Sequence, residues 1–347
     1  MRHVFVSRAN GFTLEESPEP TIYADTDVIV KVSVTTICGS DVHLIHGDMD
    51  TPWGFALGHE FVGVVHKAGA EVRKFRMGDR VVAPAMVWCG ECQSCRRHQN
   101  QACERGGIFG SGKGFGDLGG AQAEFVRVPW ADNCLSAVPD DVNDAQALAV
   151  GDILSTGWSA VKNSVHAPGS TLVVLGAGPV GLSAVHTARL EGISQVIAVD
   201  VLPDRLNVAK RLGATHVINP AKESVAEKVM ELTGGRGAEA IVDAAGVKGS
   251  VDSWSSVAAV GAKVAMVGIP SASVEMPLAA LQMKNITIWM GLGNTAYMDT
   301  LLQFIQDGVL DPSPIFSEVI PFDNIETGLH EFISRKPGLL KPLITVG

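Results

Sequence analysis

Four cysteines crowd into Cys89-Gly-Glu-Cys92-Gln-Ser-Cys95 and, after seven more residues, Cys103. Thiolates at this spacing on one short lobe can surround a single tetrahedral Zn²⁺. Four of them fill every position, so no water can be activated there. The site is therefore expected to be structural, ordering a loop with little core of its own. In a reducing compartment such clusters bind metal rather than pair as disulfides. A second chemical signal is Gly176-Ala-Gly178-Pro179-Val180-Gly181, which follows the apolar run Thr171-Leu-Val-Val-Leu175 and opens a helical stretch. In that context Gly176 permits a tight turn, Gly178 lets backbone approach a pyrophosphate, and Gly181 lets helix pack on strand. Asp200 closes the next apolar run, ~20 residues on, where a carboxylate accepts hydrogen bonds from an adenosine ribose. It would repel a 2′-phosphate, and the next cation is Arg205 on the following helix. Gly176, Gly178, Pro179, Val180, Gly181, Asp200 and Arg205 thus form an expected NAD(H) site. A third set, Cys38-Gly-Ser40-Asp41-Val-His43 and Gly58-His59-Glu60, is dispersed. Spacing alone does not make Cys38 and His59 partners.

Elements must hold these groups in place. The first 150 residues are rich in Val and Gly. Val28–Val34, Phe61–Val65 and Arg80–Ala83 read as strands separated by Gly/Asp turns. The glycine-rich stretch from Gly106 to Gly120 reads as a loop. Near Asp152 the character changes. Strands at Thr171–Leu175, Gln195–Asp200, His216–Asn219, Ala240–Ala244, Ala262–Val267 and Asn285–Met290 follow one another. Helices are expected at Val180–Leu190 and Arg205–Leu212, with no clear helical stretch between the strands at Ala240–Ala244 and Ala262–Val267. Such alternation predicts a parallel sheet with helices on both faces. A helix near Asp299–Asp307 and the apolar end Leu343–Val346 lie beyond that sheet and are expected to return to the first domain. A chain of 347 residues with a net charge of −10 and no basic tract is not a general nucleic-acid binder. No apolar run approaches the ~18–20 residues that cross a bilayer. The N-terminus lacks the apolar core of a secretory signal, so the cytoplasm is the expected location.

In their order along the chain, Cys-Gly-Ser-Asp-x-His, Gly-His-Glu, the four-cysteine lobe and the strand-bound glycine motif resemble the zinc-dependent medium-chain alcohol dehydrogenases. The likeness covers essentially the whole chain, and Gly151-Asp-Ile-Leu-Ser-Thr-Gly157 is similar to the bacterial secondary-alcohol and polyol-type branch. The resemblance implies an α/β protein: a Rossmann doubly wound parallel sheet plus a β-rich, GroES-like, partly barrel-like catalytic domain. The expected boundaries are 1–153 for the catalytic domain, 154–296 for the NAD-binding domain and 297–347 for the return. It implies a catalytic zinc on Cys38, His59 and Asp152, with Glu60 as an alternate fourth ligand and Asp41 as acceptor for a ligand imidazole. With the zinc of Cys89, Cys92, Cys95 and Cys103, that makes two per chain. Three protein ligands leave a position open for a substrate oxygen. Ser40, two residues from Cys38, reaches the same oxygen, and family members pass the alcohol proton onward through the nicotinamide ribose to a His matching His43.

The implied reaction moves a hydride between an alcohol, secondary in kind, and NAD⁺. A polyol, 2,3-butanediol or L-threonine dehydrogenase is the close alternative. A non-catalytic zinc-stabilised NAD-binding protein is the alternative of another class, though it would be expected to lose Cys38, His59 or Asp152. A homo-oligomer is expected, a tetramer ahead of a dimer. Ala85 matches a pocket position that is bulky in some relatives. Trp53, Trp88, Trp289 and Met290 are candidate pocket residues, Cys134 is read as buried structure, and Lys341 as a solvated lysine.

Overall fold

The computed structural model describes every residue except Asn10 and His166. It divides into two compact units, Met1–Ser155 with Asn294–Gly347, and Thr156–Gly293.

The first unit is built on the strand Val28–Thr36, whose residues are almost all buried. It pairs antiparallel with Phe61–Ala68, which pairs in turn with Arg80–Ala83. Along its other edge its first half pairs with Phe125–Val128 and its last three residues with Leu343–Thr345. The chain end therefore lies beside the end of the strand that leads into Cys38. Val30, Val32, Phe61, Val65, Val81, Val126 and Ile344 fill the core between these strands. A separate hairpin, Arg2–Ser7 with Gly11–Glu16, has no counterpart among the strands read from sequence. Its second strand is half-exposed along most of its length and lacks a strong apolar run.

The second unit is a six-stranded sheet in the order His216–Ile218, Gln195–Val199, Thr171–Leu175, Ala238–Asp243, Ala258–Met266, Thr287–Met290. Every neighbouring pair is parallel. Strands buried on both faces need near-continuous apolar runs, which Leu172–Leu175 and Val196–Val199 supply. One departure from the sequence reading is a helix, Lys248–Val257, between the fourth and fifth strands. Its sequence is polar and serine-rich, and only Val251, Trp254 and Val257 turn inward, so its periodic signal is thin. Trp254 is fully buried and donates its indole N–H to Asp243 Oδ2 at 2.8 Å. Among the described residues no helix is long and apolar enough to cross a membrane.

Candidate active site and metal centres

One rung of the first unit's sheet gathers the dispersed residues. Thr35 lies opposite Phe61, and Phe61 opposite Ala83. Just beyond this rung are Cys38 on one segment and His59 and Glu60 on the next. The third segment carries Asp152 indirectly: Ala85 N–H donates to Gly151 O at 3.0 Å. Any side chain at Gly151 would stand 2.4 Å from Ala83 O, so only glycine lets this turn seat on the strand end. Thr35 Oγ donates to Glu60 O at 2.7 Å and fixes the second segment. Cys38 caps the helix Gly39–His46, and Asp41 reaches back to accept the Cys38 N–H at 2.9 Å. That reciprocal cap is the local reason for Asp three residues after Cys.

The result is one cluster. A sulfur of Cys38, a ring nitrogen of His59 and carboxylate oxygens of Glu60 and Asp152 all lie within 4.8 Å of one another. Asp152 Oδ2 is 3.9 Å from Cys38 Sγ and 3.6 Å from His59 Nε2. Donors around a tetrahedral zinc stand about 3.3–3.8 Å apart for metal–ligand bonds of ~2.0–2.3 Å. The cluster fits such an ion. His59 is buried, and its other nitrogen faces Asp41 Oδ1 at 3.3 Å. Burial alone would lower the pKa of this imidazole, but Asp152, Asp41 and Cys38 outweigh it and hold it well above the usual histidine range. A zinc ion would meet the same anionic surroundings in place of that proton. Gln122 completes the frame, donating to Asp41 Oδ2 at 2.9 Å and to Thr36 O. Its role had no signal in the sequence.

Ser40 Oγ lies 3.4 Å from His59 Nε2, at the edge of the cluster. His43 projects from the same helix toward Asp48, 2.9 Å from its carboxylate, and is partly exposed. Lys341 corrects the sequence reading of a solvated lysine. It is fully buried, and its ammonium sits 2.8 Å from Glu60 Oε1. Burial opposes its charge, but Glu60, Cys38 and Asp152 more than restore it, and its pKa is raised. Pairing of Leu343–Thr345 with Val34–Thr36 delivers it there, which no local pattern signals.

The four-cysteine lobe closes on itself. Cys89, Cys92, Cys95 and Cys103 bring their sulfurs within 4.8 Å of one another. Cys103 Sγ is 3.8 Å from Cys92 Sγ and 3.6 Å from Cys89 Sγ, which also suits a tetrahedral zinc at ~2.3 Å. Burial works against ionisation of Cys89, yet the N–H groups of Glu91 and Cys92 and the Arg105 guanidinium bring it down to about 6. Cys95 is pushed up to about 12, mainly by burial. Cys134 is buried beside the lobe and accepts the Trp88 N–H at 3.3 Å. Trp88 is buried in this same core. Trp53 is partly exposed and stacks near Gly47, and Met290 lines a small apolar pocket of about 120 Å³ beside Trp254.

In the second unit Gly176 adopts φ +92°, where L side chains are strained. A side chain on Gly181 would fall 1.8 Å from Gly176 O. Gly178, by contrast, has open space before it, with Arg205 Nη1 3.9 Å from where a side chain would begin. That open face at the N-terminus of the helix Pro179–Thr187 fits a pyrophosphate. Asp200 accepts the Ala177 N–H at 2.8 Å and the Leu202 N–H at 2.9 Å, so its carboxylate is held beside the turn. Arg205 Nη1 is 3.7 Å from it.

A six-stranded parallel sheet with this glycine turn, together with a β-rich unit holding two metal-type clusters, defines a dehydrogenase of the medium-chain class. The comparisons with known proteins agree. The alcohol dehydrogenase GroES-like domain family matches residues 24–140, and the zinc-binding dehydrogenase family matches residues 179–307. A probable zinc-binding alcohol dehydrogenase of Mycobacterium tuberculosis is 34% identical over 94% of this chain and 84% of its own. The solved alcohol dehydrogenase TADH from Thermus sp. ATN1 superposes with a TM-score of 0.93 at 36% identity, covering all of both chains. An alcohol dehydrogenase of Escherichia coli CFT073, solved with NADH, superposes at 0.89 with 26% identity over 100% of this chain and 99% of its own. The chain belongs to the zinc-dependent alcohol dehydrogenases of the medium-chain family, and it is an oxidoreductase.

Proposed function

We propose that this chain oxidises an alcohol, secondary in kind, with NAD⁺ and reduces the corresponding ketone with NADH. The observation that carries this is the convergence of Cys38, His59 and Asp152, with Ser40 Oγ 3.4 Å from His59 Nε2. Zinc held by Cys38, His59 and Asp152 would act as a Lewis acid toward the substrate oxygen, while NAD⁺ would take the hydride. A second zinc on Cys89, Cys92, Cys95 and Cys103 would order the lobe and take no part in the chemistry.

The chain's own residues do the rest. Ser40 Oγ would take the proton of the substrate hydroxyl as it gives up its own, and that proton passes onward to His43, which Asp48 steadies on the solvent side. Asp41 orients the His59 ring and favours its metal-binding tautomer. Lys341 holds Glu60 next to the ligands, ready as an alternate fourth donor. Gly178 and the helix N-terminus receive the pyrophosphate, and Asp200 accepts from the adenosine ribose. The fixed Asp200 carboxylate supports NAD(H) over NADP(H). The small Ala85, whose N–H is tied to the Asp152 turn, supports a carbinol carbon bearing two substituents.

The clustering of Cys89, Cys92, Cys95 and Cys103 as a metal-type site, with Cys38 in a second, supports a reducing, cytoplasmic setting. The open edge of Thr287–Met290, with exposed Met290, Leu278 and Met283, supports a homo-oligomer, and we favour a tetramer. The test is turnover of primary alcohols, secondary alcohols and vicinal diols with NAD⁺ and with NADP⁺. Secondary alcohols with NAD⁺ should give the highest kcat/KM. No turnover of any alcohol by zinc-replete protein would defeat the reading.

A further inference from the structure

The turn that carries Asp152 is wound more widely than an α-helix. Val150–Leu154 form a π-helical turn between the helices Asp144–Ala149 and Ser155–Ser164. One extra residue in a turn rotates every later side chain by about 100° relative to an uninterrupted helix, since an α-helix has 3.6 residues per turn. Whether a carboxylate or an apolar neighbour faces Cys38 and His59 therefore depends on this winding. Isolated π turns are not the chain's preferred state and need something to hold them.

Two contacts do so. Gly151 seats the start of the turn on the strand end: its carbonyl accepts the Ala85 N–H, and a side chain there would run into Ala83 O. Ser155 closes the other end. Its hydroxyl, fully buried, donates to Val150 O at 2.7 Å, and its backbone N–H donates to Asp152 O. The hydroxyl thus ties the residue after the turn to the residue that begins it, five positions earlier.

We infer that Ser155 is a positioning residue: its hydroxyl holds the π turn that sets the Asp152 carboxylate against Cys38 and His59. The inference rests on the reading of Cys38, His59 and Asp152 as metal ligands. Without the hydroxyl the turn is free to rewind toward α geometry, which swings Asp152 off the cluster while leaving the strands untouched.

Zinc release to excess chelator tests this, with the four-cysteine site of the same chain as internal reference. Partners that orient a metal ligand are typically worth about 10–100-fold in metal affinity. Ser155→Ala should release the zinc of the Asp152 cluster about 10-fold or more faster, with the four-cysteine phase unchanged. Ser155→Thr, which keeps the hydroxyl, should restore the slow rate. Cobalt loaded into the same cluster should show shifted visible absorption bands in Ser155→Ala. A wild-type release rate in Ser155→Ala, or equal acceleration of both phases, overturns the inference alone. A wild-type chain that shows only the release phase retained by Asp152→Ala overturns the ligand reading as well.

Discussion

Lys341 Nζ stands 2.8 Å from Glu60 Oε1, and both side chains are withdrawn from solvent. An ammonium and a carboxylate this deeply buried stabilise one another only as a pair. Removing one partner leaves an uncompensated buried charge, which typically costs 3–5 kcal/mol. Lys341→Met should therefore lower stability by roughly that amount, read as a shift of the denaturation midpoint at constant slope. The double variant Lys341→Met with Glu60→Gln should recover most of the loss. A Lys341→Met protein as stable as wild type would mean that Glu60 is neutral or finds another partner.

The two cysteine sites should separate on metal analysis. Wild-type protein is expected to hold about two zinc ions per chain, one for each ligand set. Cys38→Ser should keep the fold and about one zinc, and lose turnover. Cys95→Ser should keep about one zinc and chiefly lower stability or change assembly. Full activity in well-folded Cys38→Ser would refute its role as a ligand, and about one zinc in the wild type would refute the second site.

Ser40→Ala should lose kcat while retaining zinc. Positioned proton transfer typically contributes about 10²–10⁴-fold, and the Ser40 hydroxyl lies 3.4 Å from His59 Nε2. His43→Ala should cost less, because the ring is partly exposed beside Asp48 and water can take its place. That smaller loss should shrink further at high pH, where hydroxide accepts the proton. A Ser40→Ala enzyme within about twofold of wild type is incompatible with the relay.

Cofactor choice follows from Asp200. A 2′-phosphate would bring about two negative charges against this carboxylate, and like-charge juxtaposition costs several kcal/mol. Arg205, 3.7 Å away, softens the repulsion without removing it. A preference of at least about 10²-fold in kcat/KM for NAD⁺ is expected, with each 1.4 kcal/mol worth tenfold. Asp200→Gly with Leu202→Arg should narrow or reverse it. Equal use of both cofactors by the wild type would show that Asp200 does not face the ribose.

Much of the site was legible because its parts are local. The four cysteines span a single short lobe, so closing it needs little chain entropy. The glycine motif acts through turn geometry within a few residues, and its Asp partner follows one helix and one strand later. The alternation of apolar runs and helical stretches likewise showed the parallel sheet, because buried strands must be apolar on both faces. Lys248–Val257 carries little sequence signal for the complementary reason, since most of its surface is polar and its inward positions are few.

What the sequence by itself determined is the set of candidate donors, the glycine turn that opens the helix Pro179–Thr187 and the family to which the chain belongs. Tertiary structure alone decided which distant residues meet. Lys341 reaches Glu60 across 281 positions because the last strand pairs with the end of Val28–Thr36. Gln122 reaches Asp41 across 81 positions. Ser155 is close in sequence to Asp152, yet its task exists only because the backbone between them winds by one residue too many. Strand register and helix winding are properties of packing over the whole unit, so a lysine, a glutamine and a serine that look ordinary in sequence become parts of one site.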